Sequence, residues 1–201
     1  MNDMTKMLLL PPTSNHLINT LYVSHKFFND DHVKEILKEV KNDAWVDSDT
    51  VNPDTGQSRK TKQRICQGQN IPNNFPIENL LDVVNQLNSQ YWKFNLHGID
   101  VAKDYPFLYK YNVGGHFDWH IDMSAVISTR KLAFSIQLSN PEDYEGGDLQ
   151  FYDGNNPTSD LQLREKGSLI IFPSFVWHRV TPITKGTRYA IVGWIHGETF
   201  K

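Results

Sequence analysis

Two overlapping pairs of metal-ligating side chains, His116-Phe-Asp118 and His120-Ile-Asp122, fall inside the stretch Tyr111–Asp122, and a histidine, His178, follows fifty-six positions later. Side chains at i and i+2 of a strand point to one face and can grip one ion together. A histidine from a distant strand would complete a two-histidine, one-carboxylate face with the remaining positions open. Such a ligand set suits non-haem Fe(II) and oxygen chemistry. Spacing alone does not choose between the two pairs, because on one strand all four side chains share a face. Polar residues on an exposed sheet face would give the same pattern.

Arg188 lies ten residues beyond His178. If Val176–Thr181 and Thr187–Ile195 are the arms of a hairpin turning through Pro182–Gly186, Val180 faces Arg188 and His178 faces Ala190. His178 and Arg188 would then be diagonal neighbours with Cα atoms about 7–8 Å apart. An arginine directed into a small barrel is costly without an anion, and its planar fork suits a carboxylate. A small dicarboxylate chelating a metal on His178 at one end would meet Arg188 at the other.

The elements that must position these residues fall into two groups. Leu17–Phe28 reads as an opening strand leading into a helix. Asn29 or Asp30 is its N-cap, and Val33, Ile36, Leu37 and Val40 form its apolar stripe. A second helix is predicted over Ile77–Tyr91, with Leu80, Leu81, Val84, Leu87 and Tyr91 on its apolar face. Between them, Asp47–Asn74 is polar and weakly periodic, a long loop with one short strand near Arg64–Cys66, and long loops in compact domains are often functional lids. From Phe94 the period changes to two. Strands are predicted at Phe94–Val101, Phe107–Val113, Leu132–Leu138, Asp148–Tyr152, Ser168–Phe172, Val176–Val180 and Thr187–Ile195. Helices followed by many short strands indicate a mainly β fold, a jelly roll or related double sheet with helices packed on one side.

The chain of 201 residues, 39% hydrophobic and 12% aromatic, suits one folded domain with a real core. A net charge of −3 argues against a protein that lives on nucleic-acid phosphates. Cys66 is the single cysteine, so no intramolecular disulfide forms and a reducing, cytoplasmic setting is the simple reading. The apolar run Met7–Leu10, ahead of Pro11-Pro12, is too short for a membrane span or a signal-peptide core.

Taken together, Tyr111-x-x-Gly-Gly-x-Phe-x-x-His120-x-Asp122, the Gly146-Gly147 turn, and His178-Arg-Val-Thr-Pro-Ile-Thr-Lys-Gly-Thr-Arg188 with Trp194 beyond resemble the prolyl 4-hydroxylase-like Fe(II)/2-oxoglutarate dioxygenases. The resemblance covers about residues 105–197. It implies a double-stranded β-helix core at about 94–197, supported by N-terminal helices and a loop over 1–93, as a single dioxygenase domain. It makes His120, Asp122 and His178 the iron ligands, since the family's first histidine lies nine positions after a tyrosine. Arg188 matches the residue that binds the distal carboxylate of 2-oxoglutarate, and Tyr111 a tyrosine that hydrogen-bonds it. Arg130 and Trp194 fall where related enzymes touch a peptide substrate. Phe117 departs from the family, which commonly has tyrosine there, and this puts one peptidyl-proline contact in doubt. The implied reaction uses Fe(II), 2-oxoglutarate and O₂, with ascorbate as an accessory reductant, and releases succinate and CO₂. Asp122 in the triad implies hydroxylation, because related halogenases vacate that position for halide.

Within that family peptidyl proline leads as substrate, carried on a peptide or protein partner. An oxygenase acting on a small metabolite such as a free amino acid is the alternative, and a non-catalytic cupin-like metal- or ligand-binding domain is the third reading. Nucleic-acid demethylation is disfavoured, because Tyr189–Lys201 contains no second arginine. Neither nucleic acid nor membrane is expected as a partner. The segment Ser58-Arg-Lys-Thr-Lys-Gln-Arg64, four basic residues in seven, would attract an acidic or polypeptide partner, or else is a solvated loop offset by Asp47, Asp49 and Asp54.

Overall fold

The computed structural model describes residues 21–52, 55, 57–152, 154, 157 and 160–199. The Met7–Leu10 run, the first part of Leu17–Phe28 and Asp54 lie outside the described residues. In the second half of the chain, side chains alternate between two buried environments. Every residue of Arg130–Gln137 is buried. Leu132, Phe134 and Ile136 pack with the helices, whereas Ala133, one step out of phase, joins a separate cluster on the other face. The same phase separates Leu169 and Ile171 from Ile170 and Phe172. A period of two with both faces covered is the signature of a central strand in a layered fold.

In chain order the elements are β1 (Val23–Lys26), α1 (Asp30–Lys38), β2 (Val46–Asp47), β3 (Thr50–Val51), β4 (Ser58–Arg59), β5 (Arg64–Ile65), β6 (Gln67–Asn70) and α2 (Ile77–Tyr91). They continue with β7 (Leu96–Gly98), β8 (Phe107–Tyr111), β9 (His116–His120), β10 (Arg130–Gln137), β11 (Tyr144–Gly146), β12 (Leu149–Phe151), β13 (Ser168–Pro173), β14 (His178–Val180), β15 (Ile183–Gly186) and β16 (Arg188–Gly197). A large antiparallel sheet runs β1-β13-β10-β16-β8-β6-β2, with β7 also on β16. A small sheet, β12-β14-β9-β5, carries His116, His120 and His178, and β3-β4 and β11-β15 are separate two-stranded ribbons. This is the double-stranded β-helix, with α1 and α2 covering the large sheet.

Both helices form where the apolar stripes predict. Asn29 caps α1, its side chain accepting from the His32 N–H at 2.9 Å, and Asp30 and Asp31 sit in the first turn, where the helix dipole favours anions. α2 buries Leu80, Val84 and Leu87. Tyr91 does not complete this face: it is 38% exposed. Asn88 is buried instead, and its amide both donates to Phe94 O and accepts from Phe94 N, each at 2.9 Å, tying the helix end to the next segment.

Three other expectations need correction. Asp47–Asn74 is more ordered than a loop with one strand, because β6 joins the large sheet beside β8 and β5 extends the small sheet beside β9. The predicted strand Phe94–Val101 shortens to β7, since Asp100 starts a turn in which its carboxylate accepts from Ala102 N at 3.1 Å. The hairpin of β14 with the Arg188 strand does not exist. β14 pairs with β9 and β12, whereas Arg188 pairs with Tyr111 of β8. The segment between them forms β15 against β11, which carries the chain from one sheet to the other. Gly146 and Gly147 make that crossing feasible. Both have positive φ, and a Cβ at Gly146 would lie 2.0 Å from Pro182 O.

Candidate active site

His120, Asp122 and His178 each offer one ligand atom, and these atoms lie within 4.8 Å of one another. A slip in register builds the site. His178 pairs with His120, but Val180 pairs with Phe117, so β9 carries an extra residue between them. Such a bulge re-aims side chains. It turns both Phe117 and His120 inward, stacked with ring centroids 3.5 Å apart. Asp122 follows the strand end and is fixed through its backbone, its N–H donating to Ser174 O at 2.8 Å.

The rejected pair is engaged elsewhere. Both His116 ring nitrogens face backbone carbonyls, Gly114 O at 2.9 Å and Lys62 O at 3.1 Å. The Asp118 side chain is 64% exposed.

The donor set fits a divalent transition metal. His120 Nδ1 lies 2.7 Å from Asp118 O, and His178 Nδ1 lies 3.0 Å from Val176 O. A carbonyl only accepts, so each Nδ1 carries the proton and each Nε2 keeps its lone pair for a ligand. Those Nε2 atoms sit 3.5 Å and 3.4 Å from the two Asp122 oxygens. Burial, together with the neighbouring His120, pushes the His178 imidazole down to about 4, so it is neutral at physiological pH. Burial would raise the Asp122 carboxyl, but His178, His120 and Arg130 outweigh it and hold the group well below the usual carboxylate range.

Arg188 reaches the same cavity from the large sheet. In β16 the residues Arg188, Ala190, Val192 and Trp194 share one phase, and the cavity lining includes Arg188, Val192 and Trp194 beside the triad. Thus the expectation that His178 and Arg188 serve one cavity holds, although they face it from opposed sheets and not across a hairpin. Arg188 is only 2% exposed. Its Nε and Nη2 donate to Gln137 Oε1 at 3.1 and 2.8 Å, and no carboxylate partners it among the described residues. A buried guanidinium without a carboxylate partner is suited to receive an anion. Tyr111 is buried against it, the guanidinium lying 5.3 Å from the ring centroid. Burial, with Cys66 next in importance, raises the Tyr111 phenol, which stays protonated and able to donate.

Arg130 and Trp194 lie together at the mouth, the guanidinium stacked 3.6 Å from the indole centroid. Arg130 is already committed. Nε and Nη2 donate to Asp104 at 2.6 Å each, and Nη1 donates to Asp122 O at 3.0 Å. Trp194 Nε1, in contrast, is buried without a hydrogen-bond partner among the described residues. Sequence reasoning missed Gln137 and Asp104. Gln137 had a signal, since Ser135 and Gln137 place two polar residues in phase within an apolar strand. Asp104 had none, being remote from Arg130 in sequence. Outside the inner cavity a cleft of about 420 Å³ opens, with Arg59, Arg64, Trp119, Trp177 and Trp194 among its walls.

Residues 106–196 match the family described as the 2OG-Fe(II) oxygenase superfamily. A PKHD-type hydroxylase of Synechococcus sp. (strain CC9605) is 36% identical over 85 residues, 42% of this chain and 38% of that protein. A PKHD-type hydroxylase of Aliarcobacter butzleri (strain RM4018) is 38% identical over 97 residues, 45% of this chain and 42% of that protein. The chain therefore spans about two-fifths of the length of these curated relatives. Among solved structures, a Pseudomonas putida prolyl-4-hydroxylase superposes with a TM-score of 0.64 at 18% identity, covering 90% of this chain and 94% of that one. A Trichoplax adhaerens prolyl hydroxylase, in complex with a hypoxia inducible factor oxygen degradation domain peptide fragment, gives a TM-score of 0.68 at 20% identity, covering 91% and 86%. At such identities these two structures establish the fold, while the sequence match covers the triad, Tyr111, Arg130, Arg188 and Trp194. Residues 106–196 are thus similar to the 2OG-Fe(II) oxygenase superfamily, and the fold is that of the prolyl 4-hydroxylases.

Proposed function

We propose that the protein is an Fe(II)- and 2-oxoglutarate-dependent dioxygenase that hydroxylates an unactivated C–H bond of a prolyl residue in a peptide or protein. The observation that carries this reading is that His120, Asp122 and His178 converge on one cavity with a buried arginine that has no carboxylate partner among the described residues. His120, Asp122 and His178 would hold Fe(II), and Arg188 would receive the distal carboxylate of 2-oxoglutarate. Bound iron and 2-oxoglutarate supply the oxidising power, with succinate and CO₂ as co-products. The chain's own part is positional. The Asp118 and Val176 carbonyls hold the two imidazoles in the ligating tautomer. Gln137 fixes the Arg188 fork, and the Tyr111 hydroxyl would donate to the same carboxylate. Leu149, Phe172, Val180 and Val192 wall the cavity against water.

The unpartnered Trp194 N–H suits an acceptor on the substrate, such as a peptide carbonyl. Arg130, tied to Asp104, would shape the mouth by holding Trp194 and the Asp122 backbone. A peptide partner is supported by the peptide named with the Trichoplax protein. A small carboxylated metabolite is the second reading, favoured by Phe117, whose ring offers no hydroxyl. Among the described residues no helix is long and apolar enough to cross a membrane. The buried free thiol of Cys66 is in keeping with a cytoplasmic setting.

The test is aerobic turnover of the full chain with Fe(II), 2-oxoglutarate, ascorbate and a library of prolyl peptides. The expected result is a gain of one oxygen atom on proline, matched by succinate. Oxidation of free proline with no peptide oxidised would select the second reading. No 2-oxoglutarate consumption under any condition would overturn both.

A further inference from the structure

2-Oxoglutarate carries two carboxylates, and the site described above provides for both, one at the metal and one at Arg188. A second guanidinium nevertheless opens on the same cavity. Arg64 lines the inner cavity together with the triad, and also the outer cleft. It sits on β5, where it pairs with Phe117 of β9, so a strand and not a free loop presents it. Its guanidinium is clamped between two rings, 4.3 Å from the Tyr109 centroid and 4.8 Å from that of Phe117. Nε donates to Cys66 Sγ at 3.2 Å, and the Tyr109 side chain makes a further hydrogen bond.

The titratable groups that act on it most strongly are Tyr109, Tyr111 and Cys66, none of them a carboxylate. None of the nearby acids pairs with Arg64: Asp104 holds Arg130, Asp122 belongs to the triad, and Asp49, also in the cleft, accepts from Ser58 Oγ at 3.1 Å through Oδ2, while its Oδ1 is buried with no partner among the described residues. A partly buried, stacked guanidinium without an acid among the described residues is desolvated and pre-organised for a carboxylate. Arg59 adds positive charge to the same cleft.

We propose that Arg64 is the anion receptor for the primary substrate, so that the residue to be hydroxylated is flanked by an acidic side chain. The target would face the triad while the neighbouring carboxylate meets the Arg64 fork. This rests on the reading of the triad as an Fe(II)/2-oxoglutarate site.

Two blocked pentapeptides serve as probes, Ala-Glu-Pro-Glu-Ala and its amide counterpart Ala-Gln-Pro-Gln-Ala. Wild type should hydroxylate the acidic peptide at least about tenfold faster at limiting concentration, as a charge-assisted pair requires. Its anaerobic Kd for that peptide should be lower by a similar factor. In Arg64→Gln both preferences should fall to about twofold or less. Arg64→Lys, which keeps the charge but not the fork, should retain part of them, and it carries the test if Arg64→Gln does not fold. Equal use of both peptides by wild type, use of neither, or an undiminished preference in the variants overturns the proposal. So does a loss of 2-oxoglutarate affinity in Arg64→Gln equal to that in Arg188→Gln, which would assign Arg64 to the co-substrate. If wild type shows no visible band with Fe(II) and 2-oxoglutarate, the triad reading itself fails, which is a separate outcome.

Discussion

The two sheets that enclose the cavity are built to different standards. The large sheet centres on long strands, β10 and β16, buried between the helices on one face and the cavity on the other. The small sheet is made of strands of two to five residues, its β9–β14 register is interrupted by a bulge, and its outer side leaves Trp177 50% and Tyr152 45% exposed. Yet the candidate metal ligands His120, Asp122 and His178 are on or beside the small sheet, and Arg188, proposed to receive the carboxylate, is on the large one. A regular strand can only alternate, which suffices to aim Arg188. In the small sheet the β9 bulge re-aims His120 toward His178, and short strands accommodate that break in phase at little cost to the core. In this account stability and co-substrate binding depend on the large sheet, and metal binding on the small one.

The largest effect should come from the shared core of the large sheet. Phe134→Ala removes a fully buried ring packed under the helices and should destabilise the fold by about 3–5 kcal/mol. Denaturant unfolding measures it, and a loss under about 1 kcal/mol would mean that the large sheet does not carry the stability. His178→Ala should act the other way, leaving the thermal midpoint of the metal-free protein near wild type. Its metal affinity should drop by more than about 100-fold, beyond what loss of an outer partner costs. Titration with Co(II) reads this directly.

These two predictions rest on residues of unequal legibility. The α2 limits and the phase of β10 and β16 were readable, because apolar period reports burial and burial sets both. His120, Asp122 and His178 were legible as a ligand set, but the choice over His116 and Asp118 came from a resemblance, since a bulge has no signature in ligand spacing. The hairpin inferred for His178 and Arg188 was wrong for a related reason. Pro182–Gly186 reads locally as a turn, whereas β15 and the sheet crossing depend on contacts with Tyr144–Gly146, remote in sequence. The commitment of Arg130 to Asp104 was equally hidden.

A smaller, sharper effect is expected at the anion end. Arg188→Gln should weaken 2-oxoglutarate binding by about 10- to 100-fold, the worth of a charge-assisted pair, with Co(II) affinity unchanged. A joint loss of both would show that the sheets do not divide the work. The smallest effect belongs to Asp118→Asn. Its exposed carboxylate should contribute no more than about twofold to metal affinity, and a loss matching that of His178→Ala would return the choice of ligands to the other pair.

One cavity is proposed to bind metal through the small sheet and 2-oxoglutarate through the large sheet. The most direct measurement is an anaerobic titration of Fe(II)-loaded protein with 2-oxoglutarate, followed through the visible charge-transfer band of the chelate. Wild type should give a saturable band, lost in His120→Ala and surviving in Arg188→Gln at higher 2-oxoglutarate concentration. A folded, iron-loaded wild type that develops no band would contradict that proposal.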